Sequence, residues 1–244
     1  MKLLAKELRL TLHPSSAVFA FFGCLVMVPA YPYSVIFMFG CLAPYITFVN
    51  ARETNDFFYT AALPVTKRES VGGKCLLVAS LQLFQLLFSV PFVFLRWMLR
   101  IPNNPVGIDA TLAWYGFGLI LYGIFDLVFL TGFYKSGYKV GKAFLGASVP
   151  MVLLMAGMEA IPHIPVLSWL DSTQKEYLIG QLPILLLGLA CFCICLMLAY
   201  RISAKRFEKV ITSQDGNHFG INYSSKTKRE ISRNRSEREV YSND

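Results

Sequence analysis

From Ala17 onward the chain is a succession of apolar runs separated by short polar segments. Most are close to the roughly 20 residues that a helix needs to cross the hydrocarbon core of a bilayer. With no water at that depth, each backbone N–H and C=O must be satisfied within its own segment, so runs of this kind fold as helices. Charged residues make up 16% of the sequence and hydrophobic ones 55%, against about 25% charged in soluble domains. The expected class is an all-α integral membrane protein with no sizeable soluble domain.

The runs predict six transmembrane helices, at residues 16–30, 33–49, 74–97, 112–133, 144–161 and 178–200. The first two are short, but Ala17 to Val49 is too long for one helix of ordinary tilt, and Pro29 and Pro32 interrupt it, so a tight hairpin fits better. The charges select the topology. With six spans, all of the 23 lysines and arginines except Arg96, Arg100 and Lys175 fall on one side. Short cytoplasmic loops carry the excess of Lys and Arg, which places both termini in the cytosol. The net charge of +8 therefore reports orientation rather than an affinity for nucleic acid. Trp97, Trp114, Trp169, Tyr31 and Tyr33 fall near the outer surface, and Tyr134, Tyr138 and Tyr200 near the inner one, as amphipathic rings prefer.

The flanks differ from the spans. In residues 1–14, Lys2, Lys6, Arg9 and His13 crowd into one sector of a helix, opposite Leu3, Leu4, Leu8, Leu10 and Leu12. That pattern suits a helix lying in the membrane plane and in contact with lipid, and Pro14 permits the turn into the first span. This amphipathic prefix, and the context Ala30-Tyr-Pro-Tyr, do not match a cleavable signal peptide. Residues 212–244 are rich in Ser, Asn, Lys, Arg and Glu and are expected to be a disordered cytosolic tail. The six-helix membrane domain is thus expected over 15–211. The acceptor patterns at Asn222 and Asn234 lie on the cytosolic side and are read as chance.

One polar segment, residues 50–73, stands out. It is acidic at its start and basic at its end. As a helix, Glu53, Asp56, Phe57 and Thr60 share one face at i, i+3, i+4 and i+7. An acidic rim around an aromatic knob suits a groove with basic walls. Pro64 ends that helix, and Thr66-Lys-Arg-Glu69 reads as a capping box that starts the next. The unit is a short lever joined to a membrane helix, or else an ordinary amphipathic loop.

This segment resembles the cytosolic coupling helix of bacterial type-2 (exporter-class) ABC transporter permeases, in which a short acidic helix is followed by Leu-Pro (here Leu63-Pro64), a basic pair (Lys67-Arg68) and the next span. The interfacial start, the six-span layout and the stretch from Tyr200 to Lys209 extend the resemblance over most of 1–210. It implies that Glu53, Asp56, Phe57, Thr60 and Arg68 couple the chain to a separate cytosolic ATP-binding subunit, which would hold ATP and Mg²⁺. It also implies that two permease chains, identical or related, form the path in the bacterial cytoplasmic membrane. The sequence agrees in having no GxxxxGKS/T loop; Gly137-Tyr-Lys-Val-Gly141-Lys142-Ala143 has the wrong spacing and no hydroxyl for Mg²⁺. The chain is not expected to be an enzyme. The apolar spans suggest a hydrophobic or amphipathic cargo: a peptide, a lipid or a drug.

Asp126 is the one acid well inside a span, and intramembrane acids face a bundle interior or a water-filled cavity. It is the candidate for the substrate path. It also supports the alternative function, an ion-coupled secondary transporter or channel; a structural hydrogen-bonding acid is the other reading. Arg96 and Glu159 lie near outer span ends, where pairing and snorkelling are both open and snorkelling asks for less. Cys191, Cys193 and Cys195 alternate and are expected to point to different helix faces, as small hydrophobes rather than metal ligands. His13, His163 and His218 are scattered, so no metal site is expected. An intramembrane protease would need a nucleophile–base pair or an HExxH helix, and neither is present.

Overall fold

The computed structural model describes residues 14–54, 66–137, 139–174 and 176–207. These are helical, with no strand among the described residues. The order is α1 (Pro14–Phe21), a 3₁₀ segment (Phe22–Met27), α2 (Ser34–Glu53), α3 (Lys67–Met98), α4 (Leu112–Lys135), α5 (Val140–Ala160) and α6 (Glu176–Phe207). The interfacial helix expected over 1–14, Asp56, Phe57 and Thr60 of the coupling segment, and the tail 212–244 all lie outside the described residues. Residues 205–244 form a second unit, of which only the first three are described.

Five helices, α2 to α6, are long and apolar enough to cross a membrane. The chain is therefore a multi-pass membrane protein. The first expected span does not reach that standard as one helix: α1 runs for 8 residues and then tightens into a 3₁₀ segment of 6. The 3₁₀ segment makes a close approach to a helix far along the chain. A Cβ on Gly23 would lie 2.8 Å from the carbonyl oxygen of Gln85, so the segment bends to run against the backbone of α3. The later helices outrun the sequence expectation at their inner ends. α2 continues to Glu53 and α3 starts at Lys67.

The start of α3 is as the sequence dictates. Thr66 Oγ1 accepts from Glu69 N–H at 3.2 Å, and the Glu69 carboxylate accepts from Thr66 N–H at 2.8 Å. This reciprocal pair satisfies two of the N–H groups that a helix start leaves open. Thr111 caps α4 in the same way, accepting from Trp114 N–H.

α4 lies at the centre of the bundle. It is apolar all round, and most of its length is buried. α5 packs back against it extensively. α6 approaches it through glycines: a Cβ on Gly116 would sit 2.6 Å from the Ile184 carbonyl oxygen, and one on Gly123 3.0 Å from the Phe192 Cα. Gly188 of α6 meets the Gly116 carbonyl in turn. Without a hydrophobic drive between helices in lipid, close backbone approach of this kind is what holds them. α5 and α6 bury only about a fifth of their apolar windows, 22% in each case. Leu145, Val149, Leu153, Ile179 and Leu187 lie on the free faces.

A Gly116→Val variant forces the α6 backbone away from α4. It is expected to cost about 1–3 kcal/mol, as overpacking does, and to lower the thermal midpoint of the detergent-solubilised protein. An unchanged midpoint would show that the α4–α6 contact is not tight.

Candidate functional site

Three groups of polar residues stand at different depths. At the expected inner end, Glu53 is the last residue of α2 and Arg68 lies in the first turn of α3. Both side chains are exposed. α2 closes at Thr54, whose N–H and hydroxyl both donate to Asn50 O at 2.9 Å. The helix ends on either side of residues 55–65 are thus capped, α2 at Thr54 and α3 by its capping box. Lys74, two turns into α3, is fully buried.

In the middle of the bundle, α3 carries a polar stripe at helical spacing: Gln82, Gln85 and Ser89. Gln82 Nε2 donates to Asp126 Oδ1 at 2.8 Å. Tyr122 Oη donates to Gln85 Oε1. Ser89 Oγ and Tyr115 Oη lie 2.8 Å apart. The partners run backwards along α4 (Asp126, Tyr122, Tyr115) as Gln82, Gln85 and Ser89 run forwards along α3, so the two helices are antiparallel. Gln85 Nε2 also donates to two main-chain carbonyls, Ile36 of α2 at 3.0 Å and Phe19 of α1 at 3.2 Å. Room for the Gln85–Tyr122 pair comes from Gly40, where any Cβ would overlap both Tyr122 Oη and Gln85 Oε1. Thr47 Oγ1, 2.9 Å from both Ser16 Oγ and Ala43 O, ties α1 to α2 one layer further in.

At the opposite, expected outer end a charged latch joins the helix termini. Arg96 and Asp109 form a buried ion pair. Arg96 Nη2 donates to Pro102 O at 2.5 Å, and its Cζ lies 5.2 Å from the centre of the Tyr33 ring. Asp109 N–H donates to Asp171 Oδ1 at 2.5 Å, and Thr111 Oγ1 to Leu170 O at 3.0 Å. Glu159 Oε1 accepts from Ser34 N–H at 3.1 Å, an acid capping the start of α2. Burial pushes the Asp171 carboxyl above the usual carboxylate range, with Asp109 and Glu159 adding to the rise; the Asp109 N–H and the Arg96 charge oppose it. Burial also pushes the Tyr33 phenol up to about 12, against the pull of Arg96. Beside the latch a pocket of about 320 Å³ opens between the end of α3 and the start of α6, lined by Phe94, Arg96, Trp97, Asp109, Thr111 and Leu178.

Several expectations change here. Arg96 does not snorkel; it is buried against Asp109, and Glu159 turns to a helix N-terminus instead. Trp114 does not face the lipid interface but packs inside, 4.5 Å from the Phe37 ring centre. Cys191 and Cys195 share a face, with Sγ atoms 4.0 Å apart, because a step of four returns to the same side of a helix; Cys193 alone points away. All six cysteines are free, and no cluster among the described residues could hold a metal ion. Asp126 is fully buried on Gln82. Gln82, Gln85 and Ser89 escaped the sequence reading, although their i, i+3, i+7 spacing inside an apolar run was the signal that could have found them.

A family model described as "ABC-2 family transporter protein" matches residues 2–208. No curated protein and no solved structure matches the chain.

The Asp171 shift has a definite sign. Its folded-state pKa is raised, so the folded protein holds this proton more firmly than the unfolded chain. Its contribution is full at and below the ordinary aspartate value of about 3.9 and is lost as pH rises through the folded value. Asp171→Asn keeps the acceptor for Asp109 N–H and removes the charge. At neutral pH the variant is expected to melt above the wild type, and the gap should close as the pH is lowered toward 4. A gap that widens on acidification would contradict this.

Proposed function

The chain belongs to the ABC-2 transporter protein family, and from that premise we propose that it is the membrane subunit that forms the translocation path of an ABC exporter in a bacterial cytoplasmic membrane. ATP and Mg²⁺ bind to a separate cytosolic ATP-binding subunit, and a second permease chain, identical or related, completes the path. The observation that carries this reading is the family match itself, which extends from residue 2 to residue 208. Five membrane-competent helices support it. In the proposed topology the sixth crossing is made by α1 and its 3₁₀ continuation. At 1.5 Å per α residue and 2.0 Å per 3₁₀ residue, these rise about 24 Å. Both termini then lie on the ATPase side, with the amphipathic residues 1–14 along the membrane surface.

In this reading Glu53, Asp56, Phe57, Thr60 and Arg68 contact the ATPase, and α3 transmits the motion. Support comes from the two anchored ends of the segment. Glu53 and Arg68 are both exposed, and each sits within a turn of a rigid membrane helix. The cargo is hydrophobic or amphipathic, a peptide, lipid or drug, in keeping with the aliphatic free faces of α5 and α6. Those faces leave room for lipid and for the second chain. An ion-coupled carrier working through Asp126 is the alternative, and the full burial of that residue counts against it.

The test is charge reversal at the lever. Glu53→Lys combined with Asp56→Lys is expected to leave the protein inserted and folded while abolishing copurification with its ATPase. Undiminished copurification, together with undiminished transport-linked ATPase activity, would remove the coupling assignment.

A further inference from the structure

The hydrogen-bond accounts of the middle layer close at every rung but one. Gln85 has all of its amide atoms engaged. Gln82 and Asp126, both fully buried, share a single bond, from Nε2 to Oδ1. Two oxygens are left over, Gln82 Oε1 and Asp126 Oδ2, and neither has a partner. Both are acceptors when the acid is ionised, so no rotation of either group can satisfy them. Exchanging O and N on the amide would only point the Gln82 oxygen at a carboxylate.

The titratable groups facing the carboxyl are Cys41 of α2, Cys75 of α3, Tyr122 of its own helix and Cys195 of α6. None is a cation. The lysine nearest along α3, Lys74, lies eight residues before Gln82, about 12 Å along the helix axis. A bare carboxylate at this depth would be a charge without a counter-ion, in the setting where that is most costly.

We propose that Asp126 holds a proton on Oδ2 and donates it to Gln82 Oε1, so that acid and amide form a two-bond clasp fastening α3 to α4. A planar carboxylic acid and a planar amide are complementary in this way, each giving one hydrogen and accepting one. The added proton converts two orphaned acceptors into one donor–acceptor pair. The proton is then structural, held in place rather than passed across the membrane, and the clasp stands whether or not the chain partners an ATPase.

The clasp has a spectroscopic signature. Infrared spectra of the purified full-length chain, in detergent at neutral pH, are compared between the wild type and Asp126→Asn. A carboxylic-acid C=O band is expected in the wild type, shifting on exchange into D₂O and missing from the variant. The asparagine amide reproduces both bonds of the clasp, so its melting temperature should match the wild type's. Gln82→Leu removes the acceptor; it should shift the same band to higher frequency and lower the melting temperature by several degrees. That variant also carries the test if Asp126→Asn fails to fold. Absence of a protonated-acid band from the wild type would overturn the proposal, and so would a band that Gln82→Leu leaves in place.

Discussion

Gln85 is the point on which the rest of the bundle depends. Its one side chain bonds α1 through Phe19 O, α2 through Ile36 O and α4 through Tyr122 Oη, and it is itself carried by α3. In a hydrocarbon surround there is no water to take up a bond that the protein leaves open, so a buried amide fixes the position of everything that satisfies it. Two glycines follow from that requirement. Gly40 makes space for the Gln85–Tyr122 pair, and Gly23 lets the short first helix press against the α3 backbone. Around this polar hub, Ala43, Leu77 and Leu81, with Phe19 against them, fill the remaining space.

The outer latch applies the same rule nearer to water. Arg96 and Asp109 neutralise each other in a buried pair, and their remaining atoms engage Pro102 O, Asn104 N–H and Ala110 N–H. Asn104 Nδ2 reaches Tyr31 O, which brings in the turn before α2. Gln181 of α6 bonds the carbonyls of Trp169 and Ser172. The helix ends on this side are therefore held together by polar atoms, and the middle by a ladder of amides, phenols and one acid. α5 and the far side of α6 take little part in either, which is why their outer faces stay free.

The helical class, the capping box at Thr66 and the places of the five membrane-competent helices were legible in the sequence because each rests on local rules: apolar run length and capping chemistry. The break in the first span was not legible. It arises from the approach of Gly23 to Gln85, a contact between residues far apart in the chain. The pairing of Arg96 failed for the same reason, since its partner Asp109 sits in the loop before α4 and had no periodicity to flag it. Asp126 was visible as an intramembrane acid, but its role was not, because that depends on which residue of α3 faces it. The helix ends that flank residues 55–65 differ from the sequence expectation: α2 runs on to Glu53 and α3 already starts at Lys67.

The chain is a multi-pass membrane protein of the ABC-2 transporter family, proposed above to be driven by a separate ATPase. The most direct measurement is an affinity purification of the full chain from its native membranes in mild detergent, with ATPase assay of the eluate. The account predicts a stoichiometric ATP-binding subunit with vanadate-sensitive hydrolysis. A folded chain that survives gentle extraction and is recovered alone, with no ATPase activity, would contradict it.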